Sequence, residues 1–346
     1  MNQRTKKWAF RAVLFIVLAA LLYFAVRKAP LVEIWQALQQ LQFWQVAVIL
    51  AFNALCYMLS TLRWWIIVEA EHKHVPLIPL FFVRVSVFGV SYFTLGPQVG
   101  GEPLQIFALQ RRYGLSYTRA TAAVLMDKIL EFLVDFLLLA IGLAAILQAG
   151  VLIENGIQLT GSLIVLVLLI AWPPIHLILL YNRKYPLTAL VHAIPLIPKK
   201  SKPIRFLHAA ERLAGTFCQR YPRRLLLALG VTLLSGSGML VDYALMAYFL
   251  NIDLPFWKMI AGWMMGWISL LMPLPGGLGA LEASQVFTLG KFGFSAATAL
   301  SLTLLIRGRD MFIGTLGLLF AGHSVTQVKE NTIGTSKRKF YRQRSP

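Results

Sequence analysis

Charged side chains recur inside two long apolar segments, one near the middle of the chain and one near its end. An isolated charge in hydrocarbon costs roughly 2.5–3.5 kcal/mol, so these groups must neutralise one another or face water. The chemistry they offer is ionic recognition, with carboxylates for cationic groups and basic side chains for phosphate. The residues concerned are Asp127, Lys128, Glu131, Arg307, Arg309 and Asp310.

Two further carboxylates, Glu102 and Glu282, follow breaks of the apolar sequence by proline and glycine. A helix that restarts after such a break favours a carboxylate at its amino end. At membrane depth the freed backbone groups need protein, water or ligand as partners, so the breaks line a cavity or serve close helix packing. The first break contains Pro97, Gly100, Gly101 and Pro103, and the second contains Pro273, Pro275, Gly276, Gly277 and Gly279.

The two charged segments are copies of each other. A shift of 179 residues carries Lys128 onto Arg307 and Glu131 onto Asp310, which preserves the sign of both charges. Each basic residue precedes its acidic partner by three positions, a spacing that allows an ion pair within one helix. Two interpretations therefore stand: internal pairs that hold helices together, or a polar pathway. Asp135, Arg84 and Asp242 are candidates to extend such a pathway.

The composition excludes an ordinary soluble protein. Hydrophobic residues make up 58% of the chain, charged residues 14%, and the mean hydropathy is +0.68. Lipid offers the backbone no hydrogen-bond partners, so the apolar segments must be helical. We predict an all-α polytopic membrane bundle with about six full spans and two broken-helix hairpins, or about eight transmembrane segments.

Basic residues set the expected orientation. They are concentrated at the amino terminus, in a predicted cytoplasmic loop at 181–222 and in a predicted cytoplasmic tail at 323–346. Basic segments next to membrane helices stay in the cytoplasm and contact anionic lipid headgroups, so we expect no nucleic-acid binding. Both termini are predicted to be cytoplasmic.

This orientation makes residues 1–322 one transmembrane domain built from two repeats, at about 43–149 and 223–322. The two hairpins then enter the membrane from opposite sides. That arrangement is an inverted-topology repeat, in which broken helices meet near the bilayer centre.

The sequence contains none of the usual catalytic motifs. It lacks a nucleophile elbow, a phosphate-binding loop and a nucleotide fingerprint. Its two cysteines, Cys56 and Cys218, and its six histidines have no metal-ligand spacing. We therefore expect neither an enzyme nor a metal or cofactor site.

The motifs resemble those of a known family. Gly100-Gly-Glu-Pro-Leu-Gln105, Pro273-Leu-Pro-Gly-Gly-Leu-Gly-Ala-Leu-Glu282 and the segment ending at Arg307 are similar to the transmembrane region of lysylphosphatidylglycerol synthases, the flippase-like part of the multiple peptide resistance factor. The resemblance implies lipid movement between leaflets of a bacterial inner membrane. Only 24 residues follow the last predicted helix, so it implies this part without the family's aminoacyl transferase domain.

The function predicted from these observations is a lipid flippase whose broken helices and charged residues bind a phospholipid headgroup. The expected partners are phospholipids, anionic or aminoacylated, and the membrane, with a homo-oligomer left open. One alternative is a proton- or ion-coupled transporter of a small solute or of a polyprenyl-phosphate-linked sugar. Another is a membrane scaffold subunit whose charges only lock helices together. Headgroup, direction and energy source are open at this stage.

Overall fold

The computed structural model describes residues 41–71, 75–93, 100–149, 159–192, 202–270 and 279–342, and a few single residues between 32 and 39. The apolar run at 8–26, which is long enough to predict a first membrane helix, lies outside this part of the chain. The same holds for five residues of the two breaks, namely Pro97, Pro273, Pro275, Gly276 and Gly277.

The described residues form eleven continuous helices and no strand, which confirms the predicted all-α bundle. In chain order these are α1 (Phe43–Glu71), α2 (Leu77–Phe93), α3 (Glu102–Tyr113), α4 (Tyr117–Gln148), α5 (Leu159–Tyr181), α6 (Pro186–His192), α7 (Lys202–Arg220), α8 (Pro222–Phe249), α9 (Phe256–Leu270), α10 (Ala280–Lys291) and α11 (Ala296–Arg342).

In the described part of the chain, three helices, α1, α4 and α8, are long and apolar enough to cross a membrane, and α2 and the second half of α5 are shorter apolar helices. The protein is thus a multi-pass membrane protein. The segment predicted as a basic loop contains two helices, α6 and α7. The predicted tail continues α11 as far as Arg342.

The helix bounds repeat along the chain. Shifting the first residues of α1, α2, α3 and α4 by 179 positions gives 222, 256, 281 and 296, each within one residue of the start of α8, α9, α10 or α11. We call α1–α4 the first unit and α8–α11 the second unit. The repeat seen in the charged residues therefore extends to the whole four-helix pattern.

The two units pack through equivalent helices. α1 lies antiparallel to α8: Trp44 stacks edge-on against Phe249 at one end, with ring centroids 5.5 Å apart, and Glu69 meets Arg224 at 3.1 Å at the other. In addition, the second helix of each unit packs against the fourth helix of the other, α2 against α11 and α9 against α4. Because both contacts join one unit to the other, the two units face each other.

The contact between α2 and α11 depends on a glycine. A Cβ atom added to Gly317 would lie 2.2 Å from the backbone oxygen of Val85, whereas one added to Gly308, on the same helix, would meet nothing within 4 Å. Small residues of this kind allow membrane helices to approach closely.

We therefore expect Gly317→Ala to lower the melting temperature of the protein in detergent, because α2 must move away from α11. Gly308→Ala is the matched control on the same helix and should leave the melting temperature unchanged or raise it slightly, as alanine favours helix by about 1 kcal/mol over glycine. Equal melting temperatures for the two variants would contradict this packing.

Helices α5, α6 and α7 are joined by one buried carboxylate. Glu211 on α7 accepts hydrogen bonds from the backbone N–H groups of Leu187 and Thr188, both at 2.8 Å, and lies 3.7 Å from Nε2 of His176 on α5. Desolvation raises the pKa of Glu211, but the hydrogen bonds outweigh it and hold the pKa below its ordinary value. The amphipathic helix α7 is thereby fixed against the bundle.

Candidate functional site

Each unit has a glutamate at the start of its third helix. The carboxylate of Glu102 accepts a hydrogen bond from the backbone N–H of Gly100, and that of Glu282 accepts one from Gly279, both at 2.9 Å. Both glycines have positive φ, 123° and 81°, a region that favours glycine over other residues. The chain therefore turns at Gly100 and at Gly279, and each turn is followed by a carboxylate at a positive helix end.

A cluster of six charged residues joins the four helices of the first unit. We call it the central cluster. It consists of Arg63 on α1, Arg84 on α2, Glu102 on α3, and Asp127, Lys128 and Glu131 on α4.

Asp127 and Glu131 are the acceptors at the middle of the central cluster. Arg63 donates to both of them at 2.6 Å, and Arg84 donates to Asp127 at 2.9 Å. Lys128 binds Glu131 at 2.9 Å and lies 3.6 Å from Glu102. Because three cations face three carboxylates, the central cluster is neutral when all six groups are ionised.

The second unit contains a smaller group, which we call the second cluster: Asp242 on α8 and Arg309 and Asp310 on α11. Arg309 binds both carboxylates, contacting Asp310 at 2.8 Å. Asn53 on α1 donates to Asp242 at 3.0 Å, which links the second cluster to the first unit. One cation here faces two carboxylates.

Arg307 on α11 forms a third ionic contact. Its guanidinium binds Glu282 through two nitrogens, with Nη2 2.8 Å from Oε2. This bidentate geometry is the strongest arrangement available to an arginine and a carboxylate. The pair ties the start of α10 to the middle of α11.

The 179-residue shift relates these contacts across the two units. Lys128 and Arg307 are equivalent, and each meets the glutamate that begins the third helix of its own unit. Arg63 is equivalent to Asp242, so the ion pair between the first and fourth helices occurs in both units with its polarity reversed. The symmetric scaffold thus carries an electrostatically asymmetric site.

A cavity of about 230 Å³ lies between the units and receives side chains from both clusters. Its charged lining residues are Arg63, Arg84, Glu102, Lys128, Glu131, Asp135, Asp242, Arg309 and Asp310. Aromatic and aliphatic side chains, including Phe88, Trp263 and Leu270, complete the wall. Leu281 and Ile306, the neighbours of Glu282 and Arg307, also line it, so the third ionic contact lies beside the cavity.

The structure brings the eight charged residues predicted as the binding site to this region, together with Arg84, Asp135 and Asp242, and it changes one pairing. The spacing suggests an internal pair of Arg307 with Asp310, whereas Arg307 binds Glu282 and Asp310 binds Arg309. Helix spacing cannot reveal a better partner on another helix. The Lys128 and Glu131 pair is present as the spacing suggests.

Sequence reasoning missed Arg63 and Asn53. Arg63 directly follows a charge-free run at 34–62, which suggests only the end of a membrane span. In the structure it is 2% exposed and binds two carboxylates. Its position 179 residues before Asp242 was the signal that could have pointed to it.

Comparison with known proteins agrees with this architecture. The model of the family described as the lysylphosphatidylglycerol synthase TM region matches residues 10–317. The chain belongs to this family. It is also similar to a UPF0104 membrane protein of Pyrococcus horikoshii, with 27% identity over 290 residues that cover 76% of this chain and 82% of the relative. The family match at 10–317 includes nearly all of both units and every residue that lines the cavity.

The chemistry of the site is ionic. Within the described ranges, no group of three or more histidine, cysteine or acidic side chains is arranged to hold a metal ion. Guanidinium and ammonium groups suit phosphate oxygens, and the carboxylates suit cationic groups. The arrangement offers ionic and hydrogen-bonding partners to a charged molecule, and such binding involves no covalent step.

Proposed function

We propose that this protein is a lipid flippase that moves a phospholipid or related charged lipid between the leaflets of the bacterial inner membrane. The observation that carries the proposal is the cavity between the two units, where ionic clusters stand inside apolar, membrane-spanning helices. Charges at this depth are rare in membrane helices and mark pathways for polar substrates. Membership of a lipid-related membrane family supports the same conclusion.

In this proposal the headgroup enters the cavity while the acyl chains stay in lipid. Lys128 and Arg309 would meet phosphate, and Glu102, Glu131 and Asp310 would meet cationic groups of an anionic or aminoacylated lipid. Asp127 and the pair of Arg307 with Glu282 would hold these groups in place. The mixed polar and aromatic lining supports this division. No bond is made or broken, so the protein acts as a transporter without enzymatic activity.

We further propose that the two units form an inverted-topology repeat with re-entrant hairpins at the two breaks. The antiparallel packing of the equivalent helices α1 and α8 supports opposite orientations in the membrane. In such architectures the halves rock around a fixed central site and expose it alternately to each side. Both termini would then be cytoplasmic.

Leaflet exchange in reconstituted vesicles tests the function. The wild-type protein should accelerate the exchange of fluorescent phospholipid, and Lys128→Gln should lower that rate by at least about tenfold, because a charged hydrogen-bond partner worth roughly 1.5–3 kcal/mol is removed. Lys128 is the cation that both Glu102 and Glu131 contact, so its replacement affects both carboxylates.

Lys128→Arg is the matched control, because it retains the charge and places at this position the residue found at the equivalent position 307. It should keep most of the exchange.

Vesicles loaded with lipid-linked sugar or with soluble solute separate the alternative transporter classes. Exchange of phospholipid at the protein-free rate in the wild type would reject the flippase. If Lys128→Gln lowers only the melting temperature, a scaffold role is favoured.

A further inference from the structure

Asp242 occupies the contact between the two units. It lies on α8, is 1% exposed, lines the cavity and accepts a hydrogen bond from Asn53 on α1 of the other unit. α1 and α8 are equivalent helices that cross in antiparallel orientation. Any rearrangement of the units around the cavity must change this contact.

One oxygen of the Asp242 carboxylate has no hydrogen-bond partner among the described residues. Oδ2 accepts from Asn53 and from Arg309, whereas Oδ1 is buried without a hydrogen bond from any described residue. The side-chain oxygen of Asn53 is buried and unsatisfied in the same way. Two buried acceptors without donors are costly, since each loses its hydration without compensation. A single added hydrogen-bond donor between the two side chains would remove both penalties.

The net charges of the ionic groups also favour the binding of a positive charge near Asp242. The central cluster and the pair of Arg307 with Glu282 are each neutral, but the second cluster has two carboxylates, Asp242 and Asp310, and one cation, Arg309. Its surplus of one negative charge lies in a membrane interior, where uncompensated charge is strongly disfavoured. One bound positive charge would balance it.

The groups that face Asp242 come from several helices. α11 contributes Arg309 and Asp310, and α1 contributes Cys56 and Tyr57 beside Asn53. On α8 itself the neighbouring Tyr243 donates its hydroxyl to Gln285. α4 contributes Asp135 to the same cavity, and the described lining residues of α9 are not ionisable. α7 packs near Ala228, at the other end of α8.

We propose that Asp242 and Asn53 form a proton-binding site that couples lipid movement to a proton gradient. A proton from the side of higher proton activity binds Oδ1 of Asp242, and the resulting acid donates a hydrogen bond to the side-chain oxygen of Asn53. The same proton leaves to the opposite side after the units rearrange. One proton crosses per cycle, and no other reactant is consumed. This inference rests on the proposed function, because it names the energy source of the same cavity.

A proton fits this site better than a metal cation does. A divalent ion requires several ligands, and among the described residues no group of three or more histidine, cysteine or acidic side chains could hold one. A proton needs only one unpaired oxygen and one acceptor, which are the two atoms left over here. Its binding changes the hydrogen bond that joins the two units.

Asp242→Asn tests the proposal in proteoliposomes that carry a pH gradient and an entrapped pH-sensitive dye. In the wild type, a gradient of about 1 pH unit should bias phospholipid exchange by up to about tenfold, the ratio of proton activities. The dye should also report proton movement when lipid is transported. In Asp242→Asn the ratio of rates with and without the gradient should fall to one and proton movement should stop.

Two further variants complete the experiment. Asp253→Asn makes the same chemical change on an exposed residue and should retain the wild-type ratio. Asp135→Asn removes a second cavity carboxylate, one for which no described residue is an ion-pair partner, and it should also retain the ratio if Asp242 carries the proton. Loss of the response in Asp135→Asn alone would overturn the assignment to Asp242.

The outcomes separate this inference from the proposed function. If wild-type protein exchanges phospholipid at the same rate with and without the gradient, the flippase stands and the proton site is rejected. If neither the wild-type protein nor any variant exchanges phospholipid, the proposed function itself fails. Asp242→Glu, which restores a titratable group, should recover part of the gradient response, whereas no recovery in a variant that melts like wild type would count against proton binding.

Discussion

Asp127→Asn should lower the free energy of unfolding by roughly 3–5 kcal/mol, the cost of removing one partner from a buried ion pair. Asp127 is fully buried and accepts hydrogen bonds from Arg63 at 2.6 Å and Arg84 at 2.9 Å. An amide of the same size leaves both guanidiniums with Glu131 as their only carboxylate among the described residues. The central cluster then changes from neutral to a net charge of +1.

Thermal unfolding in detergent measures this effect, and phospholipid exchange should be lost at temperatures where the variant is folded. The control is again Asp253→Asn, an identical substitution on an exposed residue after α8, which should melt like the wild type. A wild-type melting temperature for Asp127→Asn would show that the two arginines are held by something other than this carboxylate.

Arg307→Gln should reduce phospholipid exchange by at least about thirtyfold, which corresponds to about 2 kcal/mol at 1.4 kcal/mol per tenfold. Arg307 binds Glu282 through two nitrogens and so joins the start of α10 to α11. Without it, the carboxylate at the helix start loses this cation, and the start of α10 is no longer tied to α11. Removal of one member of a buried charged pair typically costs 2–5 kcal/mol.

Arg307→Lys is the sharpest comparison for this prediction, because lysine occupies the equivalent position 128 in the first unit. It keeps the charge but loses the bidentate geometry, so we expect an intermediate rate. Initial rates from dithionite quenching of fluorescent lipid give the measurement, with melting temperatures recorded in parallel. Equal exchange in the wild type and in Arg307→Gln would remove this pair from the transport site.

The equivalent positions 63 and 242 carry opposite charges, and the clusters around them differ in net charge. Arg63 is saturated by two carboxylates in a neutral cluster, whereas Asp242 belongs to a cluster with an excess of negative charge. The central cluster is therefore neutral, whereas the second cluster has two carboxylates and one cation. The two units have equivalent helices, and both contribute residues to one cavity. Because their charged residues differ, the cavity wall formed by the first unit differs in charge from the wall formed by the second.

The amino-acid sequence by itself determined the class of the protein and the position of its interruptions. Apolar runs without backbone partners in lipid must be helical, and the 179-residue shift already relates Lys128 to Arg307 and Glu131 to Asp310. The long apolar runs are helical in the described part of the chain, as in α1, α4 and α8. These features depend on local hydrophobicity and on spacing within one segment, both of which can be read along the chain.

Only the tertiary structure decided which charges meet. Arg63 reaches Asp127 across 64 positions, Asn53 reaches Asp242 across 189, and Arg307 prefers Glu282 to a carboxylate three residues away on its own helix. An ion pair within a helix follows from a spacing of three or four residues, but a pair between helices depends on crossing angle, depth and rotation. Packing of α1 against α8 and of α2 against α11 sets these quantities, and they place the unpaired oxygen of Asp242 at the contact between the units.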